Sequence, residues 1–106
     1  MHQTTARDLH ARLQAEGEPP LLLDVREPWE FAICRIPGSE LLPMSQLVRR
    51  LDELDPNRET VVICHHGIRS QQVALFLERQ GFRGIINLQG GVAAWARDVE
   101  PAMRTY

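Results

Sequence analysis

The sequence predicts an α/β fold, with a central, mainly parallel sheet flanked by helices on both faces. Two observations carry the prediction. Strand-like apolar runs and amphipathic helical stretches alternate from end to end of the 106 residues, as they do where strands are joined by crossover helices. The clearest runs, Leu21–Val25 and Val61–Cys64, lack the regular polar positions of a strand exposed on one side, so they suit a sheet covered twice.

The elements follow in order. Thr5 with Asp8 reads as a helix start, an acid in the first turn and apolar Leu9 and Leu13 four apart. Gly17 and Pro19-Pro20 end that helix, and Leu21–Val25 is a strand. Pro28 suits the first turn of a short helix to about Ile33, broken by Pro37-Gly38. Glu40–Leu42 is a short strand. Ser45 is placed to cap a helix carrying Leu47, Val48, Leu51 and Leu54. Val61–Cys64 opens with three β-branched residues and is the strongest strand. Ser70 to Gln80 is amphipathic at 73, 74 and 77, and Gly81-Phe82 supplies a left-handed cap with an apolar follow-on. Gly84–Leu88 is a further strand and Val92–Arg97 a last short helix.

A single domain over residues 1–106 is expected, because even a small second one takes about 50 residues. At 43% hydrophobic and 25% charged, the composition is that of a soluble globular chain. No apolar run nears the roughly 18 residues of a membrane span, and the first residues do not form a secretory signal. A net charge of −2 gives no electrostatic case for nucleic acid. Two cysteines cannot build a disulfide framework, so a reducing, cytoplasmic setting is expected. All 12 basic residues are Arg, which removes lysine-based covalent catalysis.

In open parallel sheets, ligands bind beyond the carboxyl ends of the strands. There the informative segment is Cys64-His65-His66-Gly67-Ile68-Arg69-Ser70: a Cys ends a buried strand, a tight loop follows, and a helix begins. A loop curled round the sulfur points its N–H groups inward and, with the helix N-terminus, makes an anion-binding nest. Such a nest favours a thiolate and would also stabilise a persulfide or an oxyanion. Gly67 allows a turn that a Cβ would hinder. The competing reading is a buried structural Cys at a strand end. A metal site on Cys64, His65 and His66 is disfavoured, since neighbours on a tight loop rarely converge on one ion and no second ligand pair exists.

These residues place the chain in a pattern. It resembles the rhodanese family of single-domain sulfurtransferases over nearly its whole length. The matching pieces are Leu22-Leu23-Asp24-Val25-Arg26-Glu27, Trp29-Glu30-Phe31, Arg35-Ile36-Pro37-Gly38, the Cys64–Ser70 loop, and Leu88-Gln89-Gly90-Gly91 with Trp95. The resemblance implies a rhodanese-like domain and a chemistry through Cys64 persulfide. Thiosulfate or a similar donor loads the sulfur, and a thiol, cyanide or a sulfur-carrier protein removes it, with no metal or other cofactor. By the same resemblance, four residues between Cys64 and Arg69 is the sulfur-transfer loop length. Phosphatases and arsenate reductases of this fold have a longer loop, so phosphoryl transfer is disfavoured.

The loop residues His65, His66, Gly67, Ile68, Arg69 and Ser70 are the expected substrate-binding set. Arg69 could hold two sulfonate oxygens of thiosulfate or pair with a carboxylate across the loop mouth. His65 and His66 either donate to an anion or face solvent. The resemblance makes Asp24, Arg26 and Glu30 supporting residues, with Arg26 pairing Glu30. Trp29, Phe31 and Trp95 are expected in the core and Met44 at the pocket rim. Cys34-Arg35 departs from the usual Gly-His. With Asp98-Val99-Glu100-Pro101 and Tyr106, it looks like the branch appended to E1-like adenylyltransferases, which feed sulfur to ubiquitin-like carriers. Three functions compete: a thiosulfate-type enzyme, a sulfur-relay partner of a carrier protein, and a non-catalytic binding module, the last disfavoured because Cys64 is present. Cys34 is expected at the opposite sheet edge, roughly 16 Å from Cys64 and unable to bridge it.

Overall fold

The computed structural model describes residues 1–106. Its elements are β1 (His2–Thr4), α1 (Ala6–Gln14), β2 (Leu21–Asp24), α2 (Pro28–Ile33), β3 (Glu40–Leu41), β4 (Thr60–Ile63), α3 (Ile68–Arg79), β5 (Ile85–Leu88) and α4 (Gly91–Asp98). Every strand pairing is parallel, and the sheet order is β1-β5-β4-β2-β3. All four residues of β2 and of β4 are buried, because alternate side chains enter separate cores. Leu21, Leu23, Val25, Val62 and Cys64 pack with Val73, Ala74 and Leu77 of α3. Leu22, Val61 and Ile63 pack on the other face with Leu9 of α1 and Val92 and Trp95 of α4. That two-residue period, hidden in an all-apolar run, sends Cys64 to the α3 side.

Local signals set several element ends. Thr5 caps α1, its hydroxyl accepting from Asp8 N–H at 3.1 Å. Glu27 and Glu30 form a reciprocal capping box on α2, with Pro28 in its first turn. Gly81 ends α3, and the Phe82 N–H returns to the Leu77 carbonyl at 3.1 Å.

Three expectations are corrected and one strand was not expected. The stretch after Ser45 is not an α-helix but two 3₁₀ turns, Met44–Gln46 and Leu51–Glu53. Leu47 is buried and Leu51 and Leu54 pack at the core edge, so the apolar spacing is used, while Val48 is 74% exposed. The Met44 N–H is tied to the Val25 carbonyl at 3.0 Å and Arg50 N–H is shared between the Gln46 and Leu47 carbonyls. Those ties favour tight turns over a continuous helix. Second, β1 was unforeseen; its residues are polar, and only the ladder to β5 makes it a strand. Third, Trp29 lies at the surface, 60% exposed, while Phe31 is half-buried and Trp95 is buried. Fourth, Cys34 is not at the far edge. Short α2 returns the chain beneath the end of β2, where Arg26 Nη2 donates to the Cys34 carbonyl at 2.7 Å. What separates the cysteines is the sheet itself: they belong to the cores on its two faces, and both are free thiols.

Candidate active site

The loop leaving β4 is shaped from outside. The carbonyls of Cys64 and His65 accept from Val92 N–H (2.9 Å) and Ala93 N–H (3.0 Å) at the start of α4. With its carbonyls turned to that helix end, the loop is free to turn N–H groups inward. Gly91 makes the approach possible: a Cβ there would lie 2.4 Å from the Cys64 carbonyl oxygen, at a φ of +59° that L side chains rarely adopt. Gly67, at φ +98°, turns the loop into α3 and is backed by the main chain of Leu88 and Gly90.

Cys64 Sγ, in a residue only 1% exposed, accepts from the N–H groups of Gly67 (3.0 Å) and Ser70 (3.3 Å). Its S–H lies 3.3 Å from Ser70 Oγ, which donates in turn to Asn87 Oδ1. Asn87 is anchored by donating to Gln3 Oε1 (2.9 Å) and the Gly67 carbonyl (3.3 Å). When the thiol ionises, the Ser70 hydroxyl can turn its proton to the sulfur. Two main-chain donors and one hydroxyl then face a single sulfur, an arrangement that stabilises negative charge on it.

Charge around the mouth is arranged in two pairs. Asp24 and Arg26, both buried, meet through Nε–Oδ1 (2.9 Å) and Nη2–Oδ2 (2.7 Å). Burial works to lower the Arg26 pKa, and its hydrogen bonds to Asp24 and Tyr106 outweigh that and raise it. Glu30 holds Arg69 in a fork, Nη1–Oε1 at 2.8 Å and Nη2–Oε2 at 2.9 Å. Arg69 therefore takes the carboxylate partner, the second of its two expected roles. The expected Arg26–Glu30 side-chain pair is absent: Arg26 reaches only the Glu30 carbonyl, at 3.4 Å. Asp24 on β2 is the nearer acid, and the Glu30 carboxylate is already filled by Arg69. That fork first, and a hydrogen bond from Tyr106 after it, hold the Glu30 carboxyl down at about 2.

Tyr106 completes the mouth. Its hydroxyl donates to Glu30 Oε2 at 2.7 Å and accepts from Arg26 Nη1 at 3.0 Å. Burial, then the Glu30 carboxylate, push the phenol up to about 12, so it stays a donor. Its ring lies on His65, centroids 4.0 Å apart and 19° from parallel, and His65 stacks on His66 at 4.0 Å. Burial first, then His66, lower the His65 pKa. A cavity of about 140 Å³ beside the loop is lined by Cys34, His65, His66, Val92, Ala93 and Tyr106, among others.

The structure thus gathers Cys64, His65, Gly67, Arg69, Ser70, Asp24, Arg26 and Glu30 in one neighbourhood. His66 is exposed and Ile68 is 71% exposed, so neither closes on the sulfur. Met44 lies at the surface, 37% exposed, and does not line this cavity. Sequence reasoning gave no site role to Asn87, Gly91, Gln3 or Tyr106, of which Gly91 and Tyr106 entered only as pieces of the resemblance. Asn87 had a signal, a lone amide inside an apolar strand; Gln3 had none.

Residues 5–98 match the family described as Rhodanese-like domain. The chain is 38% identical over 97 residues to a sulfurtransferase of Allochromatium vinosum, covering 92% of this chain and 90% of that protein. It is 36% identical to the probable adenylyltransferase/sulfurtransferase MoeZ of Mycobacterium tuberculosis, covering 96% of this chain and 26% of that one. The chain spans 22–43% of the length of its longer curated relatives. Among solved structures, a rhodanese-like domain protein from Staphylococcus aureus superposes with a TM-score of 0.83 at 33% identity, over 90% of this chain and 91% of that one. Family model, relatives and fold agree, and the chain belongs to the rhodanese-like domain family.

Proposed function

We propose that this sulfurtransferase works through a persulfide on Cys64. The observation that carries the reading is the pair of main-chain N–H groups aimed at Cys64 Sγ, with the Ser70 hydroxyl beside them. In the first half-reaction, the Cys64 thiolate attacks the sulfane sulfur of a donor. The Sγ–S bond forms, and the donor's S–S bond breaks with its electron pair on the leaving group, sulfite when the donor is thiosulfate. In the second, a nucleophile such as cyanide or a thiol attacks the outer sulfur, and Cys64 leaves as thiolate. The nest stabilises the anion on Cys64 before and after transfer and the persulfide anion between. No helix is long and apolar enough to cross a membrane, and the proposed substrates are small sulfur compounds.

A second reading is supported by two names among the relatives: MoeZ, an adenylyltransferase/sulfurtransferase, and YrkF, a putative sulfur carrier protein of Bacillus subtilis, 38% identical over 79 residues. In it, the acceptor is a carrier protein. One experiment tests the common core. Protein treated with thiosulfate or a hydropersulfide gains the mass of one sulfur atom on the peptide holding Cys64, and Cys64→Ser gains none. Sulfur on no peptide, or undiminished transfer by Cys64→Ser, rejects the proposal.

A further inference from the structure

Tyr106 is distant from the Cys64 loop in sequence, yet it contacts Arg26, Glu30 and the His65 ring together. Its ring covers His65 and makes a T-shaped contact with Trp29, centroids 5.5 Å apart, and its hydroxyl ties Arg26 to Glu30. Glu30 is pinned at four points: by both Nη atoms of Arg69, by the Tyr106 hydroxyl, and by the Glu27 N–H at 3.0 Å. Arg69, the partly exposed guanidinium of the loop, is thereby neutralised by Glu30 before a substrate arrives, and Arg26, fully buried beneath it, is matched by Asp24. Arg35 is engaged over the Phe31 ring at 4.6 Å. The loop's inward N–H groups serve the sulfur.

A mouth of this kind has a consequence for selectivity. An uncompensated arginine at a pocket entrance attracts a dianion, whereas an arginine held by a fixed acid contributes little, and the acid repels. Opening the fork would strip Glu30, 5% exposed at its side chain, of its strongest partner. We propose that Glu30 and Tyr106 are specificity-determining residues that hold Arg69 closed, so that the site takes sulfur from a donor of low charge, an alkyl or protein hydropersulfide, in preference to the thiosulfate dianion. The proposal rests on Cys64 as the sulfur carrier. The loading step is a plain displacement without net oxidation: Cys64–S⁻ attacks the terminal sulfur of R–S–SH, the Sγ–S bond forms, the R–S–SH bond breaks, and R–S⁻ departs with the electron pair. Tyr106 does not touch the reacting sulfur; it is a positioning residue acting through Glu30.

The test compares two donors, thiosulfate and the hydropersulfide of 2-mercaptoethanol, in the full chain and in two variants. Glu30→Gln keeps a side chain able to cap α2 while removing the negative charge. Tyr106→Phe keeps the stack on His65 and removes only the hydroxyl. Glu30→Gln is expected to lower the thiosulfate KM about tenfold, on the scale of one charge-assisted pair released, and Tyr106→Phe about threefold, with a smaller change for the hydropersulfide. The thiosulfate rate should also become steeply salt-dependent in Glu30→Gln and remain shallow in the parent protein. If Glu30→Gln does not fold, Tyr106→Phe decides alone. A donor ratio untouched by the variants that fold, with Cys64 still loading sulfur, overturns the specificity role. A parent protein that loads no sulfur from either donor overturns the sulfur-transfer reading itself.

Discussion

The two cysteines make a natural comparison. Both are buried and free, and each sits beside an arginine-carboxylate pair at the same end of the sheet. Cys64 Sγ receives two main-chain N–H groups and faces a hydroxyl. Cys34 Sγ has only a long contact from Arg26 Nη1 at 3.9 Å, and that guanidinium is already matched by Asp24. Burial and nearby positive charge are thus common to both. The difference lies in the backbone around the sulfur, and it is backbone that separates a candidate nucleophile from a packing residue.

The comparison can be broken most severely at Gly91. An alanine there would drive its Cβ into the Cys64 and His65 carbonyls and distort the Cys64 loop. We expect sulfur loading to fall at least ~10-fold and stability to fall by about 3 kcal/mol, the scale of a strained φ plus an unrelieved clash. Urea denaturation alongside loading kinetics checks both, and a Gly91→Ala protein with normal loading would mean the α4 clamp does not shape the site.

A smaller effect is expected on the pH dependence of stability. The Glu30 carboxyl titrates at about 2 in the folded protein against an ordinary 4.5. A depressed carboxylate stabilises the fold above its unfolded value, and that contribution disappears as the pH falls from 4.5 through 2. Discounting for Arg69, whose side chain is 37% exposed, the contribution is on the order of 2 kcal/mol. Arg69→Ala should therefore be less stable than the parent at pH 7, and the gap should close toward pH 2. A gap equally wide at both ends of that range would show that the fork contributes nothing through Glu30.

Smallest of all is Cys34→Ala. Removing one sulfur from a packed position costs about 1 kcal/mol, and turnover should stay within about twofold, since Cys34 is outside the nest and across the sheet from Cys64. Peptide mapping of the folded protein should find no Cys34–Cys64 disulfide. Finding one, or losing turnover, would make the two cysteines partners rather than contrasts.

How much of this could be read from the sequence depended on how local the cause was. β4, its loop and α3 were legible because a β-branched run, a Gly and an amphipathic stretch are all local signals. Thr5 and the Pro28 turn were legible for the same reason. β1 was not, since His2, Gln3 and Thr4 carry no apolar pattern and become a strand only through β5. The stretch from Ser45 to Leu54 misled because its apolar spacing serves two turns as well as one helix. Arg69 was legible as one of two roles, and the fork with Glu30, 39 residues away, decided between them. Tyr106 was the least legible, its partners lying 76 and 80 positions back. Trp29 was misplaced because aromatic residues default to the core, and nothing near it in the sequence says that a surface ring packs edge-on to Tyr106.

The clamp of α4 on the loop carbonyls also bears on how such a site can change. The loop's curvature is held by main-chain donors of Val92 and Ala93, drawn from a different segment of the chain. The exposed side chains at 66 and 68 are thereby released from any duty to keep the loop's shape. They can be exchanged to suit another donor or acceptor while the inward N–H groups stay where they are. Retuning and chemistry are carried by separable parts, and substitutions that remodel the rim need not pass through forms that have lost the nest.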